Sequence, residues 1–162
     1  MVHVQNFSKT FLVRILHEED VDCIYELCKS NPQYYVYCPP QVSKKSIVHD
    51  LQIFPKNSYI ENKYYVGYFQ NEELIAILDF IDTYPKKNTC FIGFFMVHAK
   101  YQHCGMGSKI MKDLLNYLDN RYAEIHLGWM KENKEAKKFW KKHGFVAQNE
   151  ENVVYAIRKG KV

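Results

Sequence analysis

The feature that most restricts the fold is a strand-like run, FIGFFMV (Phe91 to Val97), that leads into Gln102-His103-Cys104-Gly105-Met106-Gly107 and straight on into the helical pattern SKIMKDLLNYL. The first amides of a helix have no intrahelical acceptor and carry the positive end of its dipole, so a turn feeding them can hold an anion with backbone N–H groups. Gly105 and Gly107 permit dihedrals closed to other residues and let a bulky pyrophosphate approach the main chain. Lys100, His103 and Lys109 can add positive charge around Gln102 to Ser108. The plainer alternative is that the two glycines only shape a bend between strand and helix.

Other phosphate motifs fit worse. A P-loop needs GxxxxGK[ST], and here the glycines precede Ser108-Lys109 with the wrong spacing. A dinucleotide fingerprint wants a third glycine where Ile110 stands, and it belongs to the first strand of a parallel unit.

The surrounding pattern indicates an α+β chain. A strand over Phe11 to Leu16 precedes a helix over Glu19 to Lys29, whose apolar residues Val21, Ile24, Tyr25, Leu27 and Cys28 recur at helical spacing until Asn31-Pro32. Tyr34 to Pro40 reads as a loop closed by Pro39-Pro40, and a short helix after Ser43 ends near Phe54-Pro55. Tyr64 to Phe69, Leu74 to Asp82 and Cys90 to Val97 form an antiparallel meander. Then come a helix (Ser108 to Leu118), a strand (Ala123 to Trp129), a helix (Glu135 to Lys142) and closing strands at Phe145 to Gln148 and Val153 to Ile157. No repeat, linker or low-complexity tract divides residues 1–162, so one domain is expected.

Composition excludes little beyond disorder: 47% hydrophobic and 25% charged residues are ordinary for a folded domain. The five cysteines have neither zinc-site spacing nor a secreted disulfide pattern, which suits a reducing cytoplasm and no metal. No stretch approaches the roughly 18 apolar residues of a membrane span, and the first residues lack the design of a signal peptide. A net charge of +4 is too modest to argue for nucleic acid.

A second motif supplies the missing context. Asn133-Lys134-Glu135-Ala136-Lys137-Lys138-Phe139-Trp140-Lys141-Lys142-His143-Gly144-Phe145, together with Gln102-x-x-Gly105-x-Gly107, resembles the GCN5-related N-acetyltransferase (GNAT) family, with its Q/R-x-x-G-x-G/A and N-x-x-A-x-x-F-Y-x-x-x-G-F signatures. The resemblance is sharpest from Cys90 to Phe145. It implies a mostly antiparallel mixed sheet with helices on both faces and a V-shaped splay between the fourth and fifth strands. It also implies acetyl-CoA as co-substrate, bound in that splay. Backbone groups around Met96 and Val97 would hold the pantetheine arm and thioester. His103, Cys104, Gly105, Met106, Gly107 and Ser108, with Gln102, would cradle the pyrophosphate. Asn133 would help hold the cofactor, unless it is a plain helix cap. An N–H aimed at the thioester oxygen would stabilise the oxyanion, a donor worth ~3 kcal/mol in other enzymes.

The sequence departs from the family in two places. Where the family often has a tyrosine able to protonate the CoA thiolate, this chain has Trp140, whose indole is no useful acid. Trp140 then reads as a packing residue and cofactor wall. Water, Tyr101 or His143 remain as proton donors. Where some members carry a glutamate base early in the fourth strand, this chain has Phe91. Asp79 and Asp82 lie nearby, on opposite faces by alternation, and Asp82 beside the turn is the candidate base. His126 reads as a satisfied structural histidine, because Ile125, Leu127 and Trp129 form the core face opposite it. Cys104 reads as incidental. The expectation is therefore direct acetyl transfer to a primary amine of a small molecule or protein, with a homodimer admissible. A non-catalytic acyl-CoA sensor is the rival.

Overall fold

A computed structural model describes all 162 residues. Along the chain run β1 (Leu12–Ile15), α1 (Val21–Lys29), α2 (Pro32–Tyr37), α3 (Lys44–Gln52), β2 (Lys63–Gln70), β3 (Glu73–Asp82), β4 (Thr89–Val97), α4 (Met106–Asp119), β5 (Glu124–Met130), α5 (Lys134–Lys142), β6 (Val146–Ala147) and β7 (Val153–Lys159). The strands form one sheet in the order β1-β2-β3-β4-β5-β7-β6. Every pairing is antiparallel except β4 with β5, so the expected mixed α+β sheet is present.

Local chemistry accounts for most boundaries. β2 and β3 are joined through Asn71 and Glu72, both at positive φ (49° and 66°), as a two-residue turn matched to strand twist requires. Ser43 starts α3 by accepting from the Ser46 amide while the Ser46 hydroxyl accepts from the Ser43 amide. The expected loop at Tyr34 to Pro40 is corrected in part: Pro32–Tyr37 is a short helix. Pro32 occupies the opening of that helix, where its missing N–H costs nothing, and only the residues after Tyr37 are irregular.

Helices cover both faces. On one, α4 buries Ile110, Met111, Leu114, Leu115 and Leu118 against Leu78, Phe80, Ile92, Ile125 and Leu127. On the other, α1 and α3 bury Ile24, Leu27, Cys28 and Ile47 against Tyr65, Phe69, Ile77 and Met96. Each such side chain contributes about 1.5–3 kcal/mol by leaving water. No helix is long and apolar enough to cross a membrane.

One irregularity positions everything that follows. Asp79 pairs with Phe94 but Phe80 pairs with Ile92, so Gly93 is an extra residue in β4. A bulge of this kind bends its strand. The β4–β5 pairing begins at Thr89↔Glu124 and ends at Ile92↔Leu127, one residue before that bulge. β5 continues to pair with β7 as far as Met130↔Val153. Phe94–Val97 and Gly128–Met130 therefore diverge, giving the V-shaped opening between the fourth and fifth strands.

Candidate active site

The opening in the sheet meets the start of α4. Gly105 caps that helix at φ 82°, a left-handed conformation that glycine adopts without strain, and a Cβ placed there would touch nothing within 4 Å. A Cβ at Gly107 would lie 3.5 Å from the Val97 side chain and 3.7 Å from Phe139, ordinary contact distances that place the helix start between β4 and α5. His103, also at positive φ (59°), completes the turn. Six successive amides, His103 to Ser108, find no acceptor within the protein. Unpaired amides converging at a helix N-terminus form an anion site.

Gln102 serves this turn differently from its neighbours. Its side-chain amide points inward, donating to the Val97 carbonyl at 2.7 Å and to the Asn31 side-chain oxygen. Asn31 donates to the same carbonyl at 3.1 Å. The turn is thereby tied to the end of β4 and the end of α1. Just past β4 the His98 amide donates to the Ile75 carbonyl of β3 at 2.8 Å. Backbone direction alternates along a strand, so Met96 shares the β3 side and Val97 and Phe95 turn their peptide groups toward the opening. Of the two expected residues, Val97 thus offers its amide there and Met96 does not.

Positive charge arrives from α5 more than from the turn. Lys142 Nζ lies 3.3 Å from Ser108 Oγ, and His143 Nε2, just past α5, lies at the same distance as a hydrogen-bonding group whose pKa burial lowers. Lys100, in contrast, is paired with Glu73, and Lys109 lies over the Phe11 ring. Asn133 begins α5, its side-chain oxygen accepting from the Ala136 amide at 3.1 Å. The capping role is filled, and its side-chain amino group remains over for a ligand. Trp140 is buried among Phe95, Phe139 and Phe145, with ring centroids 6.2, 4.9 and 5.4 Å away. It belongs to the packing that supports the opening.

The two proposed proton carriers stand elsewhere. Asp82 pairs with Cys90 near the start of β4, and its carboxylate accepts from Tyr122 at 2.7 Å and from Thr83 at 3.1 Å. Tyr122 belongs to the core beneath α4, so Asp82 lies on that face and at the closed end of the β4–β5 pair. The structure does not bring Asp82 to the opening. Tyr101 is likewise directed away: its hydroxyl donates to Glu73, and that bond raises its pKa. Cys104 is exposed, with Sγ 2.9 Å from the Tyr101 carbonyl.

Other groups occupy the opposite face beside the bulge. Asp79 accepts two 2.8 Å bonds from Lys63, whose side chain is only 2% exposed, and a Cβ on Gly93 would lie 3.2 Å from Asp79 Oδ2. Burial pushes the Asp79 carboxyl up while Lys63 pulls it down. Tyr34 packs edge-on against Phe94, and Tyr84 against Phe91. His126, 3% exposed, has Nδ1 against the Tyr155 hydroxyl and Nε2 2.9 Å from Glu124 Oε2. Sequence alternation located the face of Asp79 and His126 but contained no signal for Lys63 or Tyr155 as their partners.

The family model described as Acetyltransferase (GNAT) family matches residues 23–145. No curated protein matches the chain. Among solved structures, an acetyltransferase from Thermus thermophilus superposes with a TM-score of 0.79 at 17% identity, covering 98% of this chain and 99% of that one. The PaiA N-acetyltransferase from Thermoplasma acidophilum, solved with coenzyme A, gives 0.68 at 15% identity over 93% and 99%. The ribosomal-protein-S18-alanine N-acetyltransferase from Escherichia coli gives 0.70 at 15% over 94% and 96%. At these identities the likeness is one of fold.

Proposed function

Because the chain belongs to the acetyltransferase (GNAT) family, we propose that it moves an acetyl group from acetyl-CoA directly to a primary amine. The observation that carries this reading is the row of six free amides at the start of α4, set beside the opening where β4 and β5 cease to pair. The residues present fit an acyl-CoA: a pyrophosphate needs several N–H donors and no side chain in the way, and Gly105 leaves that space open.

In this reading His103 to Ser108 bind the pyrophosphate, with Lys142 and His143 adding donors through their position at Ser108. The Val97 and Phe95 peptide groups hold the pantetheine arm as a strand would, and an amide of β4 near the bulge polarises the thioester carbonyl. Asn133 steadies the same ligand with its remaining amino group. The acetyl-CoA supplies a thioester whose carbonyl carbon accepts the amine's electron pair. The amine enters from the face of α1 to α3, where Tyr34, Phe94, Tyr84 and Phe91 form aromatic walls. Transfer is direct, since no side chain in the opening is arranged as a covalent nucleophile. The five unpaired thiols suit a cytoplasmic setting.

Incubating the protein with acetyl-CoA and a panel of primary amines, and following free thiol, tests the proposal. At least one amine should accelerate CoA release well above hydrolysis. Tight CoA binding with no acceleration by small amines, peptides with free N-termini or lysine peptides would replace this reading with that of an acyl-CoA sensor.

A further inference from the structure

A chain of three titratable side chains runs along the acceptor face toward the floor of the opening, and nothing in the cofactor site uses it. Glu124, His126 and Gly128 alternate on that face of β5, and Tyr155 of β7 stands directly opposite Gly128. Gly128 is the first β5 residue beyond the pairing with β4. It is exposed and carries no side chain, and a Cβ there would meet only the Val154 carbonyl at 3.2 Å and the Val153 side chain at 3.5 Å, so Tyr155 stands across from the first residue where the strands part. His126 is the register partner of Phe91, one step below.

The hydrogen bonds give this chain a direction. The Glu124 carboxylate can only accept, so the 2.9 Å contact places the imidazole proton on His126 Nε2. Nδ1 is then a lone pair, and the Tyr155 hydroxyl that touches it must be the donor. Lys159 and Lys86 (3.3 Å) hold Glu124 ionised, with Lys159 the stronger influence, and its pKa falls to about 2. Burial lowers the His126 pKa against the pull of Glu124, with Lys86 and Lys159 adding to the lowering, so the ring is neutral near pH 7. The remaining charged or titratable neighbour of the phenol is Tyr84. A carboxylate fixed behind a neutral imidazole that accepts from a half-exposed hydroxyl is the arrangement that lets a hydroxyl take up a proton.

Resting on the acetyltransferase reading, we propose that Tyr155 is the group that takes the proton from the acceptor amine, and that His126, oriented by Glu124, receives the phenol's own proton in the same event. The ammonium N–H proton passes to Tyr155 Oη as the Oη–H proton passes to His126 Nδ1. The freed nitrogen pair forms the C–N bond at the thioester carbon, and the C–S bond breaks with its electrons on sulfur. The nitrogen's second surplus proton reaches the sulfur through water, and the imidazolium returns its proton to solvent. The products are an acetamide, CoA thiol and one proton. Tyr155 is the catalytic residue here, and His126 and Glu124 are positioning residues that act through it.

The test combines turnover with a spectroscopic readout. Tyr155→Phe removes one oxygen and should lower kcat roughly 100-fold, within the range for a lost general base, while leaving the acetyl-CoA KM within twofold. His126→Gln should lower kcat similarly and abolish the acid limb of the kcat profile, which in the wild type lies on the acid side of the ordinary imidazole value because burial lowers the His126 pKa. Nitrogen NMR of the unliganded protein should show neutral His126 protonated on Nε2, with a ring pKa that changes in Tyr155→Phe. Wild-type kcat and pH profile in a folded Tyr155→Phe protein would overturn the relay alone, as would an Nδ1-protonated ring. If the wild-type protein acetylates no amine, the acetyltransferase reading falls first and the relay with it.

Discussion

Gln102 donates its side-chain amide to the carbonyl of Val97 across 2.7 Å, binding the first turn before α4 to the last residue of β4. The same carbonyl receives Asn31 at 3.1 Å, so three separate segments share one oxygen atom. The free amides of His103 to Ser108 are therefore held at a fixed offset from the peptide groups of Val97 and Phe95. A ligand reaching both must match that offset.

Replacing Gln102 with Leu removes both of its side-chain bonds and should weaken acetyl-CoA binding about tenfold, a loss of ~1.4 kcal/mol. Asn31 keeps the Val97 carbonyl partnered, so the melting temperature should fall by only a few degrees. Calorimetric titration beside a thermal melt separates the two effects.

Gly105→Val forces a branched residue into φ 82°. The backbone cost is about 1–2 kcal/mol, and the added methyls enter the open space over the amides. The dissociation constant for CoA should rise roughly 30-fold or more, a loss of about 2 kcal/mol in binding, while far-UV circular dichroism is unchanged. Unaltered affinity in the folded variant would remove the turn from the binding site.

The two aspartates of β3 should separate cleanly. Asp82→Asn, at the closed end and bonded to Tyr122, should leave kcat within twofold. Asp79→Asn, beside the bulge and paired with Lys63, removes negative charge from the face where an ammonium would approach and should raise the KM of the amine several-fold. Steady-state kinetics with the best amine of the panel decides this.

Acid should destabilise the protein through two histidines, the buried His126 and the partly buried His143. Burial lowers the folded-state pKa of both His126 and His143 below the ordinary 6.5, so the unfolded chain binds more protons there. Stability linked to these groups is complete above about pH 6.5 and is lost as pH falls through and below that value. Thermal melts should decline from about pH 7 to about pH 5. His126→Gln and His143→Gln should each flatten part of that decline.

Asp119→Ala should be the most damaging change outside the site. Asp119 is 4% exposed and holds Arg158 by bonds of 3.1 and 2.6 Å, while Arg158 also donates to the His143 carbonyl at the end of α5. Removing the carboxylate leaves a half-buried guanidinium unpaired, at a cost of about 2–4 kcal/mol by urea unfolding.

The strands and long helices were legible because their patterns are strong. β2 to β4 are near-continuous apolar runs set between turn residues, and α4 repeats its buried residues every three or four positions. The turn into α4 and the start of α5 were legible because Gly105 and Asn133 are local requirements of backbone shape. α2 was obscured by its aromatic residues and following prolines, although Pro32 is well suited to open a helix. The positions of Asp82 and Asp79 were hidden for a tertiary reason: the nearness of either to the opening depends on the extra residue at Gly93, which alternation alone does not reveal. Asn31 with Gln102, Lys63 with Asp79 and Tyr155 with His126 are encounters between residues far apart in the chain, and no local pattern announces them.

The bulge at Gly93 also makes the sheet an incomplete object. It stops β4 from closing on β5 and leaves a seam in which a pantetheine arm would serve as a guest strand, bridging two halves of the sheet whose strands otherwise pair only from Thr89 to Ile92. Occupancy of that seam would then be coupled to the cohesion of the whole domain, so the ligand would act as a removable part of the sheet as much as a reactant.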